Sequence, residues 1–218
     1  MLTLDTVEVA IAGVPILRGV SLAVPTGAMC GLIGRNGAGK TTLMRAVMGL
    51  LPARAGRIAV EGTELAGAPA HRRAALGIGY MPEDRRLVPD FTVEENLLLP
   101  VWAARLEGAA ERLRWVYRLM PEVEAFAPRR AASLSGGQQK LVALARALMA
   151  GRHMLLLDEP FEGVAPVLAR RLAQVLVDLK GEGISVLLAD SDERHAADLV
   201  DATFHIERGA ITERPPRA

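Results

Sequence analysis

The run Gly34-Arg35-Asn36-Gly37-Ala38-Gly39-Lys40-Thr41-Thr42 fits the spacing G-x-x-x-x-G-K-[ST]. An apolar stretch, Cys30-Gly31-Leu32-Ile33, precedes it, and Leu43, Val47 and Leu50 follow on one face of a predicted helix. Glycines so placed let backbone N–H groups turn inward around a polyphosphate, and the helix that opens there adds its positive end. In such a loop Lys40 reaches the β- and γ-phosphates and the Thr41 hydroxyl sits on Mg²⁺. The expected contact set is Gly34, Asn36, Gly37, Ala38, Gly39, Lys40, Thr41 and Thr42, and the expected ligand is a nucleoside triphosphate.

Two further stretches carry chemistry. Leu155-Leu156-Leu157-Asp158-Glu159-Pro160 reads as a strand buried on both faces that delivers two acids at its carboxyl end, where ligands of open α/β sheets bind. Asp158 is placed to hold Mg²⁺, and Glu159 to polarise a water for in-line attack on the γ-phosphate. Leu134-Ser135-Gly136-Gly137-Gln138-Gln139-Lys140 offers a hydroxyl and bare backbone N–H groups at a helix start. Those residues suit either a second anion site, serving a neighbour's nucleotide, or an ordinary capped helix behind a glycine turn.

The elements that position these residues alternate between strand and helix. Leu2 to Val9, Ile16 to Val24 and Ala28 to Ile33 read as strands, Thr41 to Leu51 as a helix stopped before Pro52, and Arg57 to Gly62 as a strand running into a turn. Pro69 to Leu76 looks helical, and Gly77 to Met81 reads as a buried strand. From Thr92 to about Arg130 leucines recur at helical spacing, with Pro100 and Pro121 as breaks; this reads as a helical insert. Strands return at Met154 to Leu157 and Ile184 to Ala189, flanking a helix from Val167 to Lys180, and the pair Ala202 to Ile206 and Ala210 to Thr212 closes the fold. The pattern predicts a mainly parallel sheet covered on both faces. The tail Pro215-Pro216-Arg217-Ala218 is too short for a regulatory domain.

Composition narrows the partners. A formal net charge of +1 argues against a large nucleic-acid footprint. The single cysteine, Cys30, reads as a small core residue in a reducing compartment. Met1-Leu2-Thr3-Leu4-Asp5 lacks the features of a secretory leader. The charge-free stretch from Gly19 to Gly34 is interrupted by Pro25-Thr26-Gly27, so it reads as two strands and a turn, whereas a membrane span needs about 20 apolar residues. Half the residues are apolar, enough for a partner surface beyond the domain's own core.

Leu134-Ser135-Gly136-Gly137-Gln138, between the phosphate loop and the Asp158 strand, resembles the signature of ATP-binding cassette (ABC) ATPases, and the resemblance covers nearly the whole chain. It implies an α/β P-loop NTPase fold of ABC type, with a mainly parallel core sheet, an N-terminal antiparallel β subdomain and a helical subdomain. One domain, 1–218, is implied, with 1–91 and 151–218 as nucleotide-binding core and about 92–150 as the helical part. The resemblance also implies a head-to-tail dimer, homo- or heteromeric, that clamps two ATP molecules. Each would lie between one subunit's phosphate loop and the partner's Ser135, Gly136, Gly137 and Gln138, with Ser135 and Gly137 at the γ-phosphate. Transmembrane permease subunits and, indirectly, a solute-binding protein would be separate chains, with this one in the cytoplasm on the inner face of the membrane.

Within that family the chain is most similar to ATP-binding subunits of branched-chain amino-acid importers and their urea or amide relatives. The similarity rests on Gly34 to Leu50, on Met81-Pro82-Glu83-Asp84-Arg85-Arg86 through Asn96-Leu97, and on Asp158 through Glu162-Gly163-Val164-Ala165-Pro166. Three positions depart from the general pattern. Ile11 stands where an aromatic usually stacks on adenine, offering apolar contact alone. Glu83 replaces a glutamine that links Mg²⁺ to the membrane partner, and a carboxylate there can itself ligate the metal. Ser191 replaces the switch histidine, with His195 four residues on as either a substitute or a surface residue. Slow hydrolysis, or dependence on a partner with an intact switch, is the expectation from Ser191; a regulatory subunit with weak catalysis is the alternative reading.

Overall fold

The computed structural model describes residues 1–65 and 67–214, with the backbone alone at 195, 196 and 212–214; the closing tail lies outside the described residues. In chain order the elements are β1 (Leu2–Ile11), β2 (Val14–Val24), β3 (Met29–Ile33), α1 (Lys40–Val47), β4 (Ala55–Val60), β5 (Thr63–Glu64), α2 (Arg72–Ala75), β6 (Ile78–Met81), α3 (Val93–Ala104), α4 (Ala109–Leu119) and α5 (Pro121–Phe126). A 3₁₀ turn (Ala131–Ser133) leads to α6 (Gly136–Ala150), followed by β7 (Met154–Asp158), α7 (Pro166–Lys180), β8 (Ser185–Asp190), α8 (Glu193–Ala196), β9 (Ala202–Glu207) and β10 (Ala210–Arg214).

Two sheets form. One is antiparallel with order β2-β1-β4-β5; the other has order β10-β9-β3-β8-β7-β6, parallel from β9 to β6 with β10 antiparallel at its edge. The parallel strands bury alternate side chains in two different cores, as the two-residue period of a strand requires. Met29, Ile33, Leu155, Leu157, Val186 and Leu188 join the core built with α3 to α7. Cys30, Leu32, Leu156, Leu187 and Ala189 join the one built with α1 and the antiparallel sheet. Residues from 92–150 and from the parallel sheet therefore share one apolar cluster.

Several elements end elsewhere than the sequence pattern predicts, each for a local reason. α1 stops at Val47, before Leu51, because Gly49 takes φ +68°. Gly49 N–H donates to the Ala46 carbonyl and Leu50 N–H to that of Arg45, the paired bonds of a left-handed glycine cap. Pro100 does not break the insert but lies inside α3. Its lost backbone bond and steric clash cost about 3 kcal/mol. Burial of Val93, Leu97 and Val101 offsets this at about 1.5–3 kcal/mol each. A capping box helps, with Glu95 N–H donating to Thr92 Oγ1 at 3.1 Å and Thr92 N–H to Glu95 Oε2 at 2.7 Å. α2 keeps only Arg72–Ala75 of the predicted helix, since Gly77 at φ +73° turns the chain into β6. β1 and β2 extend past the expected ends to meet at Ala12-Gly13, whose φ of +47° and +84° make a two-residue hairpin turn.

β3, which leads into the phosphate loop, is fastened at both ends. At its start Met29 N–H donates to Asp201 Oδ2 at 2.8 Å, Asp201 N–H donates to the Met29 carbonyl at 2.7 Å, and Lys180 pairs with Asp201 at 2.8 Å. At its end Gly34 passes so close to β9 that an added Cβ would lie 2.3 Å from the Ile206 carbonyl oxygen. No such wall stands at Gly37, where φ is +80° and nothing lies within 4 Å.

Burial pushes the Asp201 carboxyl up, but the bonds from Lys180 and Met29 outweigh it and hold the group below its ordinary range. A depressed carboxyl stabilises the fold above its unfolded pKa of about 3.9, and that contribution is lost as pH falls through the folded value. Asp201→Asn should therefore lower stability to urea at pH 7 by about 0.5–1 kcal/mol, discounted for solvent screening, with the gap closing below about pH 4. Gly34→Ala should cost more than about 2 kcal/mol by the same measurement, against about 1 kcal/mol for Gly37→Ala, which meets backbone strain without a clash.

Candidate functional site

The carboxyl ends of β3 and β7 converge on the first turn of α1. Gly39, with φ +116°, caps α1 without a side-chain bond, and the first turn carries no acid. The N–H groups at the start of a helix have no partner within it, so here they remain for an incoming anion. Arg35, Asn36 and Gly37 are exposed, while Ala38, Gly39 and Lys40 are buried. Ala38 is clamped on both sides, its N–H donating to the Arg35 carbonyl and its carbonyl accepting from Gly209 N–H, each at 3.0 Å.

The Lys40 ammonium lies over this loop, donating to the carbonyls of Gly34 at 2.6 Å and Arg35 at 3.2 Å, with Glu159 Oε1 at 3.0 Å. Thr41 Oγ1 donates to Asp158 Oδ1 at 3.1 Å, and the Tyr80 phenol on β6 donates to Asp158 Oδ2 at 3.3 Å. Burial pushes the Asp158 carboxyl up to about 6 against the pull of these two bonds, with the charges of Glu83 and Glu159 adding to the rise. Glu83 is exposed and acts on Asp158 through its charge; the described residues include no group of three or more metal-ligating side chains. What the chain does offer is a hydroxyl and a carboxylate side by side. Such hard oxygen donors suit Mg²⁺, which usually takes one or two carboxylates and leaves its other positions to water and phosphate.

Glu159 follows β7 in an unusual backbone conformation, φ +50°, which costs a non-glycine residue about 1–3 kcal/mol. Its N–H donates to the Ala189 carbonyl at 2.9 Å. Its carboxylate is held from two sides. Oε1 faces Lys40, and Oε2 accepts from Ser191 N–H at 3.1 Å and more weakly from Ser191 Oγ at 3.4 Å. Ser191 thus supports Glu159 mainly through its backbone, a role that side-chain identity does not advertise. The His195 side chain lies outside the described residues.

Ser135 caps α6 in a reciprocal box. Gln138 N–H donates to Ser135 Oγ at 3.3 Å, and Ser135 N–H donates to Gln138 Oε1 at 3.0 Å. The hydroxyl accepts in that bond, so its own proton stays free to donate outward. Ser135 and Gly136 are exposed, Gly137 and Gln138 partly so. Among the described residues no hydrogen bond joins 134–138 to the phosphate loop; Lys40, Thr41, Asp158 and Glu159 are gathered in one place, and the Ser135 tip is a separate surface.

Two supporting side chains escaped the sequence reading. Lys140, buried in α6, donates to the carbonyl of Glu159 at 2.7 Å and to that of Glu162. Tyr80 had registered only as part of an apolar strand, and an isolated phenol gives no sign of the carboxylate it will meet. Ile11 lies at the tip of the first hairpin, 43% exposed, so an apolar contact with a flat ligand is open to it.

The comparisons with known proteins agree with this geometry. A family profile described as "ABC transporter" matches residues 17–162. The chain is 35% identical over 211 residues to the high-affinity branched-chain amino acid transport ATP-binding protein BraG of Pseudomonas aeruginosa, covering 97% of this chain and 91% of that one. It is 33% identical over 212 residues to the lipopolysaccharide export system ATP-binding protein LptB of Escherichia coli, covering 96% and 88%. Among solved structures, a nucleotide-free ATP-binding cassette from an ABC transporter superposes with a TM-score of 0.86 at 27% identity, covering 100% of this chain and 92% of that one. With its phosphate loop, paired acids and capped glycine helix on an ABC-type cassette fold, the chain belongs to the ABC transporter family, as an ATP-binding and ATP-hydrolysing subunit.

Proposed function

We propose that this subunit powers an importer of branched-chain amino acids or related small solutes, as one of two ATPases clamped head to tail around two ATP molecules. The observation that carries the reading is the convergence of Lys40, Thr41, Asp158 and Glu159 at the ends of β3 and β7. Gly34, Asn36, Gly37, Ala38, Gly39 and Thr42 wrap the phosphates, and Lys40 exchanges its contact with Glu159 for phosphate oxygens. Thr41 and Asp158 would hold Mg²⁺, with Glu83 at the rim. When bound, the metal would neutralise charge on the triphosphate. Glu159, freed from Lys40 and steadied by Ser191 N–H, orients the attacking water and accepts its proton. Ser135, Gly136, Gly137 and Gln138 close on the partner's nucleotide, the Ser135 hydroxyl donating.

Closure reaches the permease through 83–96 and the helical part, 92–150. Arg146 of α6 donates to the carbonyls of Arg85 and Arg86, and the buried Asn96 amide bonds the backbone at Val88 and Thr92. A largely apolar groove of about 380 Å³ opens there, lined by Met48, Leu50, Tyr80, Pro82, Leu99 and Pro100 among others. It suits a short amphipathic helix of a membrane protein. No helix among the described residues is long and apolar enough to cross a membrane. Paired with a permease through that groove, the subunit works peripherally, on the cytoplasmic face. The likeness to BraG supports the amino-acid class and the likeness to LptB supports the wider transporter role; the solute itself is chosen by other chains.

Lys40→Ala should abolish measurable binding of a fluorescent ATP analogue, and Glu159→Gln should elute as a dimer on gel filtration with ATP and Mg²⁺. An ATP-loaded Glu159→Gln protein that stays monomeric at all concentrations contradicts the clamp. A second reading, a regulatory subunit with weak catalysis, is motivated by Ile11, Glu83 and Ser191 together, and Ser191 is the position through which it is tested. It predicts that Ser191→His raises the ATPase rate of the homodimer by roughly tenfold or more, the scale of a positioned acid–base group. An unchanged rate removes its basis.

A further inference from the structure

We propose that Lys140 is a positioning residue: it ties the Ser135 tip of α6 to the backbone of Glu159, so that hydrolysis at a subunit's own nucleotide depends on that subunit's grip on the other one. This rests on the clamped-dimer reading above.

The Lys140 ammonium is buried, at 5% exposure, within the electrostatic reach of the Glu162, Glu159 and Asp190 carboxylates, yet its hydrogen bonds go to backbone. It donates to two carbonyls of one tight turn, that of Glu159 at 2.7 Å and that of Glu162. Burial of the charge outweighs the pull of those carboxylates, so the position needs a use that an apolar residue would not serve. The turn supplies that use. Glu159 has φ +50°, a conformation a side chain disfavours, and besides Lys140 its own carbonyl takes a long 3.3 Å bond from Glu162 N–H. The ammonium clamps both carbonyls and so fixes the direction in which the Glu159 side chain leaves the backbone.

At the other end of the same rigid stretch stands the capping box of Ser135 and Gln138, one turn earlier on α6. Ser135 faces the partner's nucleotide in the dimer, whereas Glu159 serves the nucleotide on this chain's own loop. A shift of the helix start is therefore passed through the Lys140 ammonium to the Glu159 turn with no flexible segment between. A displacement of about 1 Å at a reacting group is enough to change a rate by about a hundredfold.

The test uses the full chain with two substitutions. Lys140→Met keeps the apolar stem and removes the charged donor; Lys140→Arg restores two donors. Lys140→Met should lower kcat for ATP by at least roughly tenfold, with KM and the affinity for a fluorescent ATP analogue within about threefold of the parent. Lys140→Arg should recover kcat to within about threefold. In a Glu159→Gln background Lys140→Met should still dimerise with ATP. A Lys140→Met protein with unchanged kcat overturns the proposal, as does one whose kcat, nucleotide affinity and melting temperature fall together without rescue by Lys140→Arg. Failure of Glu159→Gln alone to dimerise overturns the clamp reading instead, and this proposal with it.

Discussion

Lys40 and Glu159 approach to 3.0 Å with side chains only 4% and 5% exposed, beside an Asp158 that is wholly buried. Charges so placed lose the hydration they had in the unfolded chain, and their mutual attraction repays that loss only when further hydrogen bonds take up the remaining donors and acceptors. The surroundings provide those bonds from four segments of the chain. Two loop carbonyls receive Lys40, Thr41 and Tyr80 donate to Asp158, and Ser191 donates to Glu159. The two carbonyls lie on the loop after β3, Thr41 on α1, Tyr80 on β6 and Ser191 just past β8, so the site exists only when β3, β6, β7, β8 and α1 are all in place.

The parallel sheet makes that convergence possible. β3, β7 and β8 lie side by side in register, Met29 opposite Val186 and Met154 opposite Ser185, so their carboxyl ends line up on one edge. Because alternate residues enter separate cores, a slip of one position would exchange the two apolar faces and unseat Asp158 as well. The electrostatic site and the hydrophobic cores are thus fixed by one register.

Much of this was legible in the residues. The glycine spacing before Lys40, the apolar run into Asp158 and Glu159, and Ser135 ahead of a glycine pair each carry a local physical signal, and the structure places them on the strand ends and helix starts expected. Ends of elements were less legible. Gly49 terminates α1 through its left-handed conformation, whereas Pro52, the more conspicuous stop, arrives too late to matter. Pro100 reads as a break because propensity is local, and the burial of Val93, Leu97 and Val101 overrides it. Long-range partners left no trace at all. Lys140 bonds a backbone 19 residues away and Tyr80 a carboxylate 78 away, and nothing in either residue's neighbourhood names the acceptor. Ser191 misleads in the other direction, since its support of Glu159 runs mainly through an N–H that any residue other than proline would possess.

One crystal structure would test the central claim most directly, that of the Glu159→Gln protein grown with ATP and Mg²⁺. The account predicts a two-fold dimer in which each γ-phosphate lies between Lys40 of one subunit and the Ser135 hydroxyl of its partner. A nucleotide seated on the glycine loop with Ser135 turned to solvent, in every copy and every assembly of the crystal, would contradict it.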